Sequence, residues 1–317
     1  MKKNRMNELV QKNTPIIVLL VLIIIFSILV PNFTSSRNIT AILFQSAVTG
    51  FLALGQLLVI ITGGIDLSQG AMVALTSIVV SVTIDDFGIG GAVAVGLLMG
   101  ALIGFLCGGI IAKTSIPPFI VTLGFMGIAR GLALMLANAK PVPIKNEAYK
   151  ILGAGRIGIV PIAVIVLAIF AMLVFYLLRF RKFGLYMYAL GSNENSARLS
   201  GINAQQIKLG AYMLSAIFCT IGGMVWCSRL VSGSPVGGYD YETESIAAVV
   251  VGGAQLSGGV GSVQGAMAGV LIFQCISSML NLTGINPFWQ GAFKGILIIV
   301  AVVISALRGG VKQNKFV

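Results

Sequence analysis

Asp66 is one of only nine acidic residues in the chain, and it sits in Ile60-Ile61-Thr62-Gly63-Gly64-Ile65-Asp66-Leu67-Ser68-Gln69-Gly70, between two long apolar stretches. A carboxylate at the centre of a spanning helix costs about 2.5–3.5 kcal/mol on insertion scales, so such a residue marks a solute path or an ion site. The glycines Gly63, Gly64 and Gly70, together with Ser68, predict that the helix breaks here. Backbone groups freed at such a break need protein or a water-filled cavity around them. A plainer reading makes Asp66 a turn residue near one end of its helix, with Ser68 or Gln69 capping the next. Arg130 lies in the middle of the apolar run 120–132, too deep to snorkel. Its guanidinium has to meet an acid such as Asp66, backbone carbonyls, water or a solute. Gly252-Gly253-Ala254-Gln255-Leu256-Ser257 echoes Gly63 to Ser68 and also interrupts an apolar run. Paired glycine-broken helices in two halves point to a transporter's midplane site, although two similar turns account for the echo as well.

Other chemistry is poorly supplied. There is no histidine, and the four cysteines are scattered through apolar stretches without metal-ligand spacing. They read as small buried hydrophobes, and no metal site is expected. Gly153-Ala154-Gly155-Arg156-Ile157-Gly158 fits GxGxxG but lacks a βαβ setting, and no GxxxxGK[ST] occurs. The chain therefore has no nucleotide site of its own by these motifs, and no acid–base pair supports an intramembrane enzyme.

The elements that position these residues are apolar helices. Hydrophobic residues make up 57% and charged residues 9% of 317, with mean hydropathy +1.00. This predicts an all-α polytopic membrane protein, a single transmembrane domain over residues 1–317. About ten spans fall near 15–30, 40–62, 70–84, 90–112, 118–137, 160–178, 207–229, 243–257, 262–281 and 289–306. The first, preceded by basic residues and followed by no small-residue cleavage site, reads as an uncleaved helix. The net charge of +12 sits in short clusters beside spans, which are topology signals rather than a nucleic-acid surface. They predict a cytoplasmic N-terminal tail (1–14), cytoplasmic loop (183–206) and cytoplasmic C-terminal tail (308–317). Lys140, Lys145, Lys150 and Arg156 form a mild exception on the outer side. Gly96, Gly100, Gly104 and Gly108 recur every four residues, as do Gly261, Gly265 and Gly269, and predict close helix packing.

Within the cytoplasmic loop, Ser192 or Asn193 can cap a short helix with Glu194 at its positive end, Arg198 near its negative end and Gly201 as terminator. About two turns do not persist alone in water, so either the chain's own bundle or a partner holds this helix.

These residues resemble the permease subunits of bacterial ATP-binding-cassette sugar importers of the ribose-type branch. The resemblance is carried by Thr62 to Ser68, by Ile116 to Gly124 with Arg130-Gly131, by Tyr188-Ala189-Leu190-Gly191 through Gly201-Ile202-Asn203, and by Ile246 to Val250 through Gly252-Gly253. It continues over Gly258-Gly259, Gly261-Ser262 and Gly265, and spans roughly Pro31 to Leu307. It implies a bacterial inner-membrane permease that forms a homodimer or pairs with a close paralogue, above two ATPase subunits that hold ATP and magnesium, while the chain itself binds no cofactor. An extracytoplasmic sugar-binding protein would deliver a monosaccharide, ribose-like, by alternating access. Ser192, Asn193, Glu194, Arg198, Leu199 and Gly201 would form the helix that couples to the ATPase. Asp66, Ser68, Phe119, Thr122 and Arg130 are the candidates for lining or gating the path. Where the branch commonly shows Gly-Tyr-Glu-Leu-Asp, this chain has Asp240-Tyr241-Glu242-Thr243-Glu244, expected to face outside, which leaves the solute open. The rival reading is an ion-coupled secondary transporter with Asp66 as its ion site.

Overall fold

The computed structural model describes residues 2–286 and positions 289, 291–293, 295, 296, 299, 300 and 303. The expected last span, 289–306, and the C-terminal tail therefore lie largely outside the described residues. Helix α1 (Lys2–Leu29) carries Pro15 within it. Helix α2 (Ser36–Ile61) starts at the Ser35 cap, whose hydroxyl accepts from Asn38 N at 3.3 Å. Helix α3 (Gln69–Lys113) consists of two arms joined at Gly88, where φ is +66°. The expected spans 70–84 and 90–112 are these arms. Asp85 and Asp86 lie in helix rather than in the turn expected there, because only the glycine adopts the positive φ at low cost. Helix α4 (Pro118–Leu136) begins with proline, whose missing N–H is one of the first-turn orphans.

A short strand β1 (Val142–Pro143) and helix α5 (Lys150–Ala154) follow, then the hairpin of β2 (Arg156–Ile157) and β3 (Val160–Pro161). Helices α6 (Ile162–Phe180), α7 (Lys182–Ser192), α8 (Glu194–Leu199) and α9 (Ala204–Leu230) come next. Strand β4 (Ser232–Gly233) pairs antiparallel with β1, and α10 (Tyr241–Val251) and α11 (Val263–Leu282) complete the described elements. Among the described residues six helices are long and apolar enough to cross a membrane: α2, α3, α4, α6, α9 and α11.

Helix α2 is the axis. Leu52, Leu54, Leu57, Leu58 and Ile60 are wholly enclosed, as expected of a helix that is apolar all round and surrounded by protein. Helix α9 runs antiparallel to it, with Gly55 against the Ser215 backbone and Gly222 against Leu52. The glycine stripe of α3 lies on the same helix: Gly96 meets Met224, Gly100 meets Thr220, Gly104 meets Ala216 and Gly108 meets Leu209. The second stripe works likewise, with Gly265 against the Gly252 carbonyl and Gly269 against that of Ala248, seating α11 on α10. By contrast α4 and α6 turn much of their apolar surface outward. All four cysteines are buried and free.

The expected span 243–257 is corrected. The helix there is α10, eleven residues that stop at Val251, about 16 Å at 1.5 Å per residue and too short to cross. Helices α2 and α10 end in the same way. Gly63 N donates to Ile60 O and Gly64 N to Val59 O, while Gly253 N donates to Val250 O and Ala254 N to Val249 O. Gly63 (φ +82°) and Gly253 (φ +94°) take the left-handed position of this cap. The two breaks are thus equivalent with Gly63 matched to Gly253, one residue off the register of the sequence echo.

Candidate functional site

The centre of the molecule is a joint between two half-helices. After Ile61 the chain turns back alongside α2, and α3 starts where Gln69 Nε2 donates to Leu52 O at 3.1 Å. That point lies about 13 Å short of the end of α2, at 1.5 Å per residue. Residues 232–240 make the complementary journey. Ser234 N donates to Ser77 Oγ at 3.1 Å near their start, and Gly238 (φ +67°) lies against the Gly70 carbonyl at their end. Each crossing is therefore part helix and part extended chain, and the N-termini of α3 and α10 meet where the two types change over. Chain of this kind is tolerated at depth only where protein or a cavity surrounds it.

A polar network holds the joint. Asp66 Oδ1 accepts from Ser68 N at 3.0 Å and from Ser68 Oγ at 2.6 Å, and Oδ2 accepts from Ser215 Oγ at 2.7 Å, close to the midpoint of α9. Gln69 Nε2 also reaches Ser215 Oγ at 3.2 Å, and Ser245 Oγ donates to Gln69 Oε1 at 2.5 Å, which ties α10 in. The Gln56 amide, oriented as its surroundings require, donates to Asp66 O at 3.1 Å and accepts from Asp66 N at 3.2 Å. Thr122 Oγ1 donates to Ile65 O at 3.3 Å, pinning α4 to the same turn. Asp66, Ser68 and Thr122 are 3%, 5% and 0% exposed, and their hydrogen bonds tie the break to α9 and α4.

Arg130 does not pair with Asp66. Its Nη1 donates to Pro235 O at 3.0 Å and to Gly237 O at 2.8 Å, clamping the extended arm that leads to α10. Glu242 lies near enough for the two charges to interact. The Glu242 carboxylate lies against Gly70 and fills the space that a Cβ there would need. An acid is favoured at two converging helix N-termini, whose free N–H groups carry partial positive charge. Arg130 and Glu242 are half-buried and Tyr239 beside them is exposed, so this edge of the joint is open while the Asp66 side is closed. Phe119 is exposed on α4 and belongs to neither group.

Glu242, Gln56, Gln69, Ser215 and Ser245 are functional candidates that sequence reasoning missed. Glu242 was expected in an outward loop, but it opens α10 inside the bundle. The available signal was Gln and Ser inside otherwise apolar runs, where each polar group needs a partner. Replacing Arg130 with leucine orphans two carbonyls, and such charge-assisted bonds contribute about 1.5–3 kcal/mol each. The expected result is a lower melting temperature in detergent and faster hydrogen exchange over 232–240, with Arg130→Lys closer to wild type. Unchanged exchange in the leucine variant would dismiss the clamp.

The breaks also meet α7. Gly259 N donates to Ile61 O at 2.9 Å, and a Cβ on Gly258 would lie 3.0 Å from the Gly63 Cα. Gly191, in the last turn of α7, wedges against the Ile61 carbonyl and Gly259 N. Tyr188 Oη donates to Gly261 O at 2.8 Å, and Ser192 Oγ donates back to Tyr188 O at 2.8 Å. Beyond it Asn193 caps α8, accepting from Ser196 N at 2.9 Å, and Gly201 (φ +82°) follows its end. Glu194 accepts from Arg198 Nη2 at 2.7 Å and from Lys208 Nζ at 2.8 Å, which fastens α8 to α9. Leu199 is 91% exposed at its tip. Among the described residues no group of three His, Cys, Asp or Glu could hold a metal ion.

A family described as "Branched-chain amino acid transport system / permease component" matches residues 38–302. The chain is 39% identical to the ribose import permease protein of Escherichia coli K12, over 91% of this chain and 92% of that one. It is 38% identical to the ribose import permease protein of Bacillus subtilis 168, over 96% and 95%. It is 36% identical to the fructose import permease protein of Rhizobium meliloti, over 92% and 84%. No solved structure matches it. A family match over most of the chain, relatives aligned over most of their length and six apolar helices among the described residues lead to one conclusion: the chain belongs to the permease components of this transport family and is a multi-pass protein of the bacterial inner membrane.

Proposed function

We propose that this chain is the permease subunit of an ATP-binding-cassette importer that carries a ribose-like monosaccharide delivered by an extracytoplasmic binding protein. The observation that carries the reading is the set of relatives named as ribose and fructose import permeases, aligned over nearly their whole length. The geometry supports it. A solute path needs polar groups at mid-depth, and the open edge of the joint presents Arg130, Glu242 and Tyr239. A second permease copy, identical or closely related, completes the path. The outward glycines Gly124, Gly127 and Gly131 of α4 leave room for its close approach. The ion-coupled alternative is not favoured, because Asp66 spends both carboxylate oxygens on Ser68 and Ser215.

In this reading the side bearing α7 and α8 is cytoplasmic, with both termini on it and about ten spans in all. ATP and magnesium are bound by separate ATPase subunits. Helix α8 docks on the ATPase through Leu199 and its neighbours, and α7 passes the movement to the two breaks through Gly191. The test of this docking is charge reversal at Glu194. Glu194→Lys should cut ATP-driven uptake about tenfold or more, while the permease stays folded. Full uptake in that variant would remove α8 from the mechanism.

The same carboxylate gives a pH prediction. Burial raises the Glu194 pKa, but hydrogen bonds from Lys208 and Arg198 outweigh it, and the group ends below its ordinary 4.5. With a lowered folded-state value, the anchoring is complete above pH 4.5 and is lost as pH falls through that lower value. Hydrogen exchange of residues 194–199 should therefore stay slow from neutral pH down to about 4.5 and rise only in stronger acid. Lys208→Gln should move that rise to higher pH.

A further inference from the structure

At the end of the bundle opposite α7 and α8, the first turns of α2, the β2–β3 hairpin and the last turn of α9 enclose a cleft of about 500 Å³. Three guanidinium groups line it, those of Arg37, Arg156 and Arg229, and no carboxylate does. Glu147 of the loop before the hairpin pairs with Lys150, and Asp85 of α3 pairs with Lys145. Arg229 is held in place, its guanidinium 4.1 Å from the centre of the buried Phe44 ring. Thr40 Oγ1 donates to Ile159 O at 3.3 Å and closes the hairpin over α2. Three arginines thus line one cleft with no acid among its described lining residues, although a positive-inside distribution gives no reason for cations at this end.

The surroundings are those of a membrane boundary. Ile157 and Ile159 on the hairpin are 67% and 50% exposed. Pro161, on the rim, leads directly into α6, whose Ile165, Ile169, Met172 and Leu173 are exposed along its length. An apolar helix exposed in this way is presented to acyl chains, and the arginine cleft stands at the level where that helix begins. We propose that the cleft binds the phosphate of an anionic phospholipid. Arg37, Arg156 and Arg229 contact the phosphate oxygens, and the tails lie against the outer surface of α6. Arginine forks suit a phosphate diester, whose two free oxygens accept paired N–H bonds. A protein partner with an acidic face would be drawn to the same charge, but it would leave the isoleucines beside the cleft exposed.

The test is native mass spectrometry of the purified full-length protein, released from micelles containing phosphatidylglycerol or phosphatidylcholine. The wild type should retain phosphatidylglycerol in preference to phosphatidylcholine. The double variant Arg37→Gln/Arg156→Gln should retain one phosphatidylglycerol fewer, with its melting temperature in phosphatidylcholine micelles unchanged. Arg156→Gln alone, on the exposed hairpin, should show the same loss in weaker form and guards against misfolding of the double variant. An unchanged phosphatidylglycerol count in both variants would overturn the proposal. So would full protection by millimolar inorganic phosphate, which would mark a soluble-anion site. A variant that keeps its lipid but loses uptake dependent on the binding protein would assign the cleft to a protein partner and overturn it equally.

Discussion

Asp66→Ala should destabilise the protein by about 2–4 kcal/mol, and Asp66→Asn should leave it close to wild type. The aspartate is enclosed and accepts three hydrogen bonds from Ser68 and Ser215. Alanine removes the acceptors: the fixed Ser68 N–H is stranded, at about 1–3 kcal/mol for such a buried group, and the two hydroxyls must rotate to poorer acceptors. It also leaves the turn that joins α2 to α3 without its link to α9. Asparagine keeps both partners: its oxygen accepts from Ser68, and its amide donates to the Ser215 oxygen, whose own proton then turns to another acceptor. The pair separates two roles that a single deletion would confuse. If Asp66 braces the joint, the asparagine variant melts near wild type and still supports uptake. If it carries an ion or a proton, asparagine folds normally and transports nothing. Thermal melting in detergent and uptake in vesicles, measured on both variants, decide between them.

Gly191→Val should abolish most ATP-driven uptake, with the ATPase still bound and still hydrolysing. A Cβ at this position would overlap the Ile61 carbonyl and the Gly259 backbone nitrogen. Those are main-chain atoms on the two helix breaks, and neither can swing aside as a side-chain tip would. Forcing extra carbons into such packing costs about 1–3 kcal/mol and moves the backbone. The displacement falls between α7 and the two turns, the place where movement of α8 has to reach the joint. Gly201→Ala provides the control. It strains a left-handed residue with nothing within 4 Å of its Cβ, so it should disturb only the end of α8. Normal uptake by Gly191→Val would remove this junction from the transmission path.

The sequence marked both breaks but not where the second helix ends. At 62–68 the glycine pair, a carboxylate and Ser68 stand together between apolar runs, and no continuous spanning helix accommodates them. At 252–253 the glycines also interrupt an apolar run, but Ala254 and Leu256 carry the expected span on to 257, past the end of α10 at Val251. Its missing half is the extended arm 232–240, whose Ser, Gly and Pro residues read as an ordinary loop. The carbonyls held by Arg130, the Ser234 bond to Ser77 and the contact of Gly238 with Gly70 place the arm inside the bundle. The glycine stripes announced close packing, but their partners on α9 and α10 could not be named, because a four-residue repeat fixes a face and not its neighbour. The α8 helix was legible from Asn193, Glu194 and Gly201 alone, since its cap and terminator are local. Lys208, which completes the grip on Glu194, lies on α9 and required the fold. The Asp66 network was invisible for the same reason: Gln56, Ser215 and Ser245 come from three different helices.

The most direct test of the account is solute flux in proteoliposomes that contain the purified chain. With its ATPase subunits inside and the loaded sugar-binding protein outside, uptake should require ATP and stop when the binding protein or the ATPase is left out. With the chain alone, a proton or sodium gradient should drive no accumulation. Gradient-driven uptake by the chain alone, without ATP or either partner, would contradict the account.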